Sequence, residues 1–135
     1  MFDEVITVFN YDKKTNRYYA KVLENIEIQE LSAANLIKTG PVDADTVNIH
    51  IPYSEKYRKP LAWQSSDDKT DIFTFNAKNK KDFIYCGKWA DGKVISDDDY
   101  KDDFYAYMSS NFDDVYMIST VAAYNVIPHW EVGVR

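Results

Sequence analysis

The chain has 135 residues and a formal net charge of −6, long enough for one domain with a real core and the wrong sign for a phosphate-gripping surface. Eleven Tyr, seven Phe and three Trp favour strands and contact surfaces over helical bundles. A single cysteine, Cys86, excludes an internal disulfide framework and fits a reducing compartment. No segment reaches the apolar length of a membrane helix, and the opening MFDEVITV lacks the features of a signal peptide, so a cytoplasmic protein is expected.

Residues 4–11 carry apolar side chains on both faces, as a strand buried on both sides does. The polar turn 12–16 leads into a second alternating run, 17–29, and the pair predicts a hairpin with a bulge or bend near 23–25. Residues 30–43 hold no sustained period and contain the turn dipeptide Gly40-Pro41, so a loop is expected there. In 46–53, Val47, Ile49 and Ile51 alternate with Thr46, Asn48 and His50, predicting a strand with one buried and one wet face.

Residues 54–71 form a long charged stretch carrying Tyr57, Leu61 and Trp63. A stretch this long between strands reads either as a mobile surface excursion or as a loop that orders on contact with a partner through those three side chains. Residues 72–76 and 83–86 read as strands joined by the lysine-rich turn 77–81, and Asp91-Gly92 between apolar residues signals a hairpin over 88–95. Ser96 followed by Asp97, Asp98 and Asp99, ahead of Tyr100, Phe104, Tyr107 and Met108, predicts one amphipathic helix over 97–109. Two strands close the chain. In the first, Val115, Met117, Ser119 and Val121 share a face; in the second, Trp130, Val132 and Val134 do; residues 122–128 connect them.

The expected fold is therefore mainly β: an antiparallel β-barrel or compact sandwich of about seven or eight strands with one short helix and a long loop. The expected core is Val47, Ile49, Ile51, Val115, Met117, Val121, Trp130 and Val132.

Catalytic and metal signatures are missing. The aspartates at 97, 98, 99, 102 and 103 lack the ligand order, glycine and closing glutamate of a calcium loop, and Asp43-Ala44-Asp45 fails the same test. The two histidines, His50 and His129, form no zinc pattern with Cys86, so neither metal nor other cofactor is expected. There is no nucleophile elbow, phosphate loop or dinucleotide fingerprint, and an enzyme is not expected.

Three stretches, ITVFNYDKKTNRYYAKVLENIEI, DTVNIHIPY and DDVYMISTVAAYNVIPHWEVGVR, resemble small proteins of the head-to-tail connector of long-tailed bacteriophages and prophages of Gram-positive bacteria. In order and length the chain is similar to head-closure, or stopper, proteins of the phage neck, which share a β-barrel with a long insertion and often end on a strand like that at 129–132. The resemblance implies a structural virion protein. Its copies would form a homo-oligomeric ring at the head–tail junction, between portal or adaptor and tail proteins, after synthesis in the host cytoplasm. It also implies that 54–71 is the channel loop and that DNA passes without sequence-specific binding, for which an acidic wall is suited. Three other readings stay open: a tail-terminator or tail-completion protein, a carbohydrate-binding β-domain using Tyr18, Tyr19, Tyr53, Tyr57 and Trp63 as stacking platforms, and an enzyme, which would need a cleft holding titratable groups of perturbed pKa.

Overall fold

The computed structural model describes residues 4–30 and 47–135. The loop expected over 30–43, the Asp43-Ala44-Asp45 run and the start of the strand at Thr46 fall wholly or largely outside them. Seven strands form the sheet: β1 (Glu4–Asp12), β2 (Arg17–Glu30), β3 (Val47–Pro52), β4 (Phe83–Tyr85), β5 (Val94–Ser96), β6 (Val115–Tyr124) and β7 (His129–Val134). Their order is β1-β4-β6-β7-β3-β2-β5, and β1 also pairs with β2, so six strands close an antiparallel barrel and β5 hangs outside it on β2. Closure removes most sheet edges, which suits a sequence with so many exposed aromatic and β-branched positions.

β1 and β2 form the expected hairpin, its turn ending on Asn16 in the left-handed region at φ 57°. β2 is 14 residues long and changes partners, running beside β1 and β5 first and beside β3 afterwards. The bend needed for that change is the bulge over 23–25, where two steps on β1 oppose three on β2 and Asn25 takes φ 61°. A bulge increases local twist and lets a long strand curl round a barrel.

Alternation along β1 divides the core in two. Ile6 and Val8 point into the barrel with Ile26, Val47, Ile49, Ile51, Ile84, Ile118, Val132 and Val134, and Phe73, Phe75 and Trp130 close that cluster at one end. Phe9, on the opposite face, packs with Tyr18, Phe83, Ile95, Phe104 and Met108 beneath the helix α2 (Phe104–Asn111). Asn10 is a fully buried polar side chain on the inward face, and its partners explain how the chain tolerates it: its amide donates to Thr74 O and Asp82 Oδ2, and its Oδ1 accepts from Thr74 N. Asp82 also accepts from Tyr11 N and Asn79 Nδ2. Burial nevertheless pushes its carboxyl up to about 6, because the charged form loses more hydration than these donors return.

Several elements differ from expectation. The helix does not run over 97–109. A single 3-10 turn spans Asp97–Asp99, and α2 starts only at Phe104, where Asp103 is the N-cap and accepts from Ala106 N at 2.6 Å. Asp97 accepts from Phe104 N instead of lying within a helix. Five aspartates in seven residues repel along a continuous helix, and Asp side chains compete for nearby backbone N–H groups, so the second cap wins.

Residues 72–76 form no strand and make one isolated bridge, Tyr57 with Phe73. Asp91-Gly92 turns, with Gly92 at φ 105°, but no hairpin follows: β4 pairs with β1 and β6, and β5 with β2. A turn dipeptide sets local direction and not the pairing of its flanks. The closing connection is shorter than expected, at 125–128, since β6 continues to Tyr124.

Of the expected core, Val47, Ile49, Ile51, Trp130 and Val132 are buried, Val115 and Met117 are half-buried against the α2 side, and Val121 is exposed. Ahead of the slip between Ile118 and Thr120, Val115 and Met117 face the α2 side and Ile118 faces inward; past it Val121 stands opposite Val132 but lies exposed, on a part of β6 that among the described strands pairs only with β7.

Candidate functional site

The segment expected to be a partner-seeking loop is tied down at both ends. Phe73 N donates to Lys56 O at 3.1 Å and Arg58 N to Phe73 O at 2.8 Å, which seats Tyr57 among Phe73, Phe75 and Trp130. Pro60 then starts a short helical turn, α1 (Pro60–Ser65), as the fixed φ of proline favours. α1 buries Trp63 against Tyr19, with Lys69 Nζ 5.4 Å from its ring. Gln64 donates to Asp12 Oδ1, and Asp71 bridges Lys21 and Lys56 at 2.7 and 2.8 Å. These two lysines hold the Asp71 carboxyl well below the usual range.

The three proposed contact residues therefore separate. Trp63 is a core anchor, Tyr57 is half-buried in the aromatic plug, and only Leu61, 86 % exposed, faces outward. Likewise Tyr18 and Trp63 are buried, which removes two of the five rings counted as a carbohydrate platform.

Exposed apolar side chains gather elsewhere. The β6–β7 turn carries Val126, 98 % exposed, and Ile127, 71 % exposed, with Tyr124 beside them. Further back on β6, Val121 lines a groove of about 630 Å³ with Pro60, Leu61, Ala62, Phe75 and Ala77. β4 begins at Phe83, opposite Met117, so among the described strands β6 pairs only with β7 from Thr120 to Tyr124. One chain thus presents an apolar knob and an apolar groove.

On the outer wall beside that knob, the β3–β7 register sets His50 opposite Glu131 and Pro52 opposite His129. Residues two apart on a strand share a face, so His129 and Glu131 come together with His50. Glu131 Oε2 lies 3.1 Å from His129 Nε2, and Oε1 lies 3.9 Å from His50 Nε2. The imidazoles stack at 5.3 Å and 7°, and Tyr124 stacks on the far side of His129. His129 Nδ1 donates to Ile127 O at 2.6 Å, and Asn48 Nδ2 donates to Glu131 Oε1 at 3.1 Å. The Ile127 carbonyl, and after it Glu131, raise the His129 pKa; Asn48, and after it His129, lower that of Glu131. The surroundings favour the charged form of each, an imidazolium beside a carboxylate.

The family model of DUF6751, a family of unknown function, matches residues 1–135. The chain belongs to that family. No curated protein and no solved structure matches it.

In this DUF6751 chain the histidines were the feature hardest to see from sequence. They stand 79 positions apart, and only the β3–β7 register joins them. The available signal was local: His129 and Glu131 alternate with Trp130 and Val132, so both lie on the wet face of the last strand. Among the described residues, His50, His129 and Glu131 are the one group of three with metal-ligating atoms all within 4.8 Å of one another.

Proposed function

We propose that this DUF6751 protein is a structural subunit that assembles with copies of itself into a ring, as a non-enzymatic head-closure type component of a phage head–tail connector. The carrying observation is the pairing on one barrel of an exposed apolar knob, Val126 and Ile127, with an apolar groove at Leu61, Phe75, Ala77 and Val121. Such side chains gain about 25 cal/mol per Å² when removed from water. A knob and a groove on different parts of one surface make a head-to-tail contact, which closes into a ring when the rotation per subunit divides a full turn. The net charge of −6 suits a wall past which DNA slides. The sequence resemblance supplies the biological setting, in the virion at the head–tail junction and before that in the host cytoplasm, with portal or adaptor and tail proteins as neighbours. A tail-terminator subunit would assemble in the same way.

The test is native mass spectrometry of the full chain alongside prophage complementation with Val126→Asp combined with Ile127→Asp. Closed rings from the natural sequence, and folded monomers with unjoined heads and tails from the variant, are expected. A natural chain that stays monomeric at all concentrations, or a variant that yields normal infectious particles, would overturn the reading.

A further inference from the structure

We propose that His50, His129 and Glu131 form a binding site for a divalent transition-metal ion of the Zn²⁺ class on the outer wall of the barrel. It stands apart from the ring reading and rests on the gathering of three ligand atoms within 4.8 Å of one another and on which ring nitrogens are unprotonated. Glu131 Oε1 can only accept, which fixes the Asn48 amide with its nitrogen toward the carboxylate. The same nitrogen lies 3.4 Å from His50 Nε2, and since an amide nitrogen only donates, Nε2 is the unprotonated nitrogen of that ring and its lone pair accepts from Asn48.

His129 reaches the same state by another route. Its Nδ1 faces the Ile127 carbonyl at 2.6 Å and so carries the proton, which leaves Nε2 of the neutral ring with a lone pair 3.1 Å from Glu131 Oε2. Two lone pairs at that distance repel unless a cation lies between them. A proton meets the need when the imidazole is charged, and a metal ion meets it for both rings together.

The donor set suits the ion. Two imidazoles and one carboxylate, with a fourth position open, are a zinc ligand set, and imidazole equally accepts Co²⁺, Ni²⁺ and Cu²⁺. A tetrahedral ion with bonds of ~2.0–2.2 Å needs donors roughly 3.4 Å apart. The observed separations start at 3.1 Å and none exceeds 4.8 Å, and binding would turn the two stacked rings out of their parallel arrangement, with His50 Nε2 moving from the Asn48 amide toward the ion. The outer partners are of the kind that orient metal ligands: a backbone carbonyl on the far nitrogen of His129, and an amide on the carboxylate oxygen turned toward Asn48. The ion would join β3 to β7 at the base of the β6–β7 turn.

The experiment titrates the full chain, stripped with a chelator, with Zn²⁺ by calorimetry, and records the visible spectrum with Co²⁺. One ion per chain is expected, with cobalt bands of low-symmetry nitrogen and oxygen ligation and no thiolate band. His50→Ala and His129→Ala should each weaken binding at least tenfold. Asn48→Ala should weaken it by about tenfold, as loss of an outer partner does, and Cys86→Ser should leave it unchanged. Zn²⁺-dependent shifts of the His50 and His129 ring resonances in the natural sequence give a readout that requires no variant to fold. Failure to bind one equivalent, binding that survives both histidine variants, or binding lost with Cys86→Ser would each overturn the proposal.

Discussion

Ile49→Ala and Val121→Ala make a pair that separates the barrel from simple strand alternation, because the sequence pattern places both residues in the core and the structure buries only one. Ile49 is fully buried mid-strand, opposite Ile28 on β2 and Val132 on β7. Its truncation removes three buried carbons, about 2–3 kcal/mol of transfer free energy, and closed barrel walls collapse poorly, adding about 1–2 kcal/mol for the cavity. The total of about 3–5 kcal/mol corresponds to a fall in Tm of about 10–15 °C for a chain of this length. Val121 is 37 % exposed on the groove wall, and its truncation should cost under about 0.5 kcal/mol in the subunit. Urea unfolding at fixed pH, with the m-value monitored so that both variants are compared on one transition, measures the difference. Equal losses for the two, or a loss below about 0.5 kcal/mol for Ile49→Ala, would refute the exposure of Val121 or the burial of β3.

Trp63→Ala should cost about 3–5 kcal/mol and Leu61→Asp under about 1 kcal/mol, since one is buried under α1 and the other is exposed; deletion of 56–69 should therefore destabilise the fold, as denaturation curves will show. Asp103→Ala should remove the α2 cap and cost about 0.5–2 kcal/mol by the same assay. The Asp82 carboxyl titrates near 6 in the folded chain and near 4 unfolded, so the folded state takes up its proton first and loses stability as pH rises between those values. The natural chain should gain about 2–3 kcal/mol from this group between pH 7 and pH 4, and Asp82→Asn should flatten that slope. Asp12, Asp68 and Asp71, whose carboxyls are held below the usual range, act the other way, and their contribution disappears below about pH 4. Stability measured from pH 4 to 7 that rises steadily with pH would contradict the assignment to Asp82.

Local chemistry was legible in this chain wherever one short stretch carried the whole decision. Strict alternation in 47–51 and 130–134 defined two inner walls, because a side-chain period of two needs no knowledge of the partner strand. The polar run 12–16 marked its hairpin, and the break in period near Leu23 marked the β2 bulge. What the sequence could not carry was pairing between distant strands. Asp91-Gly92 promised a hairpin, yet β1 and β6 claim β4 and β2 claims β5, because burial of Phe83 and Ile84 between two packed layers outweighs a turn preference. The slip after Ile118 set Val121 opposite Val132, yet Val121 stays exposed because among the described strands that part of β6 pairs only with β7. Trp63 looked like an interface anchor for want of any local sign that Tyr19 and Lys69 would cover it. His50 and Glu131 meet only through a β3–β7 register that closes when the barrel does. Side-chain periodicity is a property of one strand, whereas a site made from two strands depends on which residues end up opposite each other, and only the closed barrel decides that.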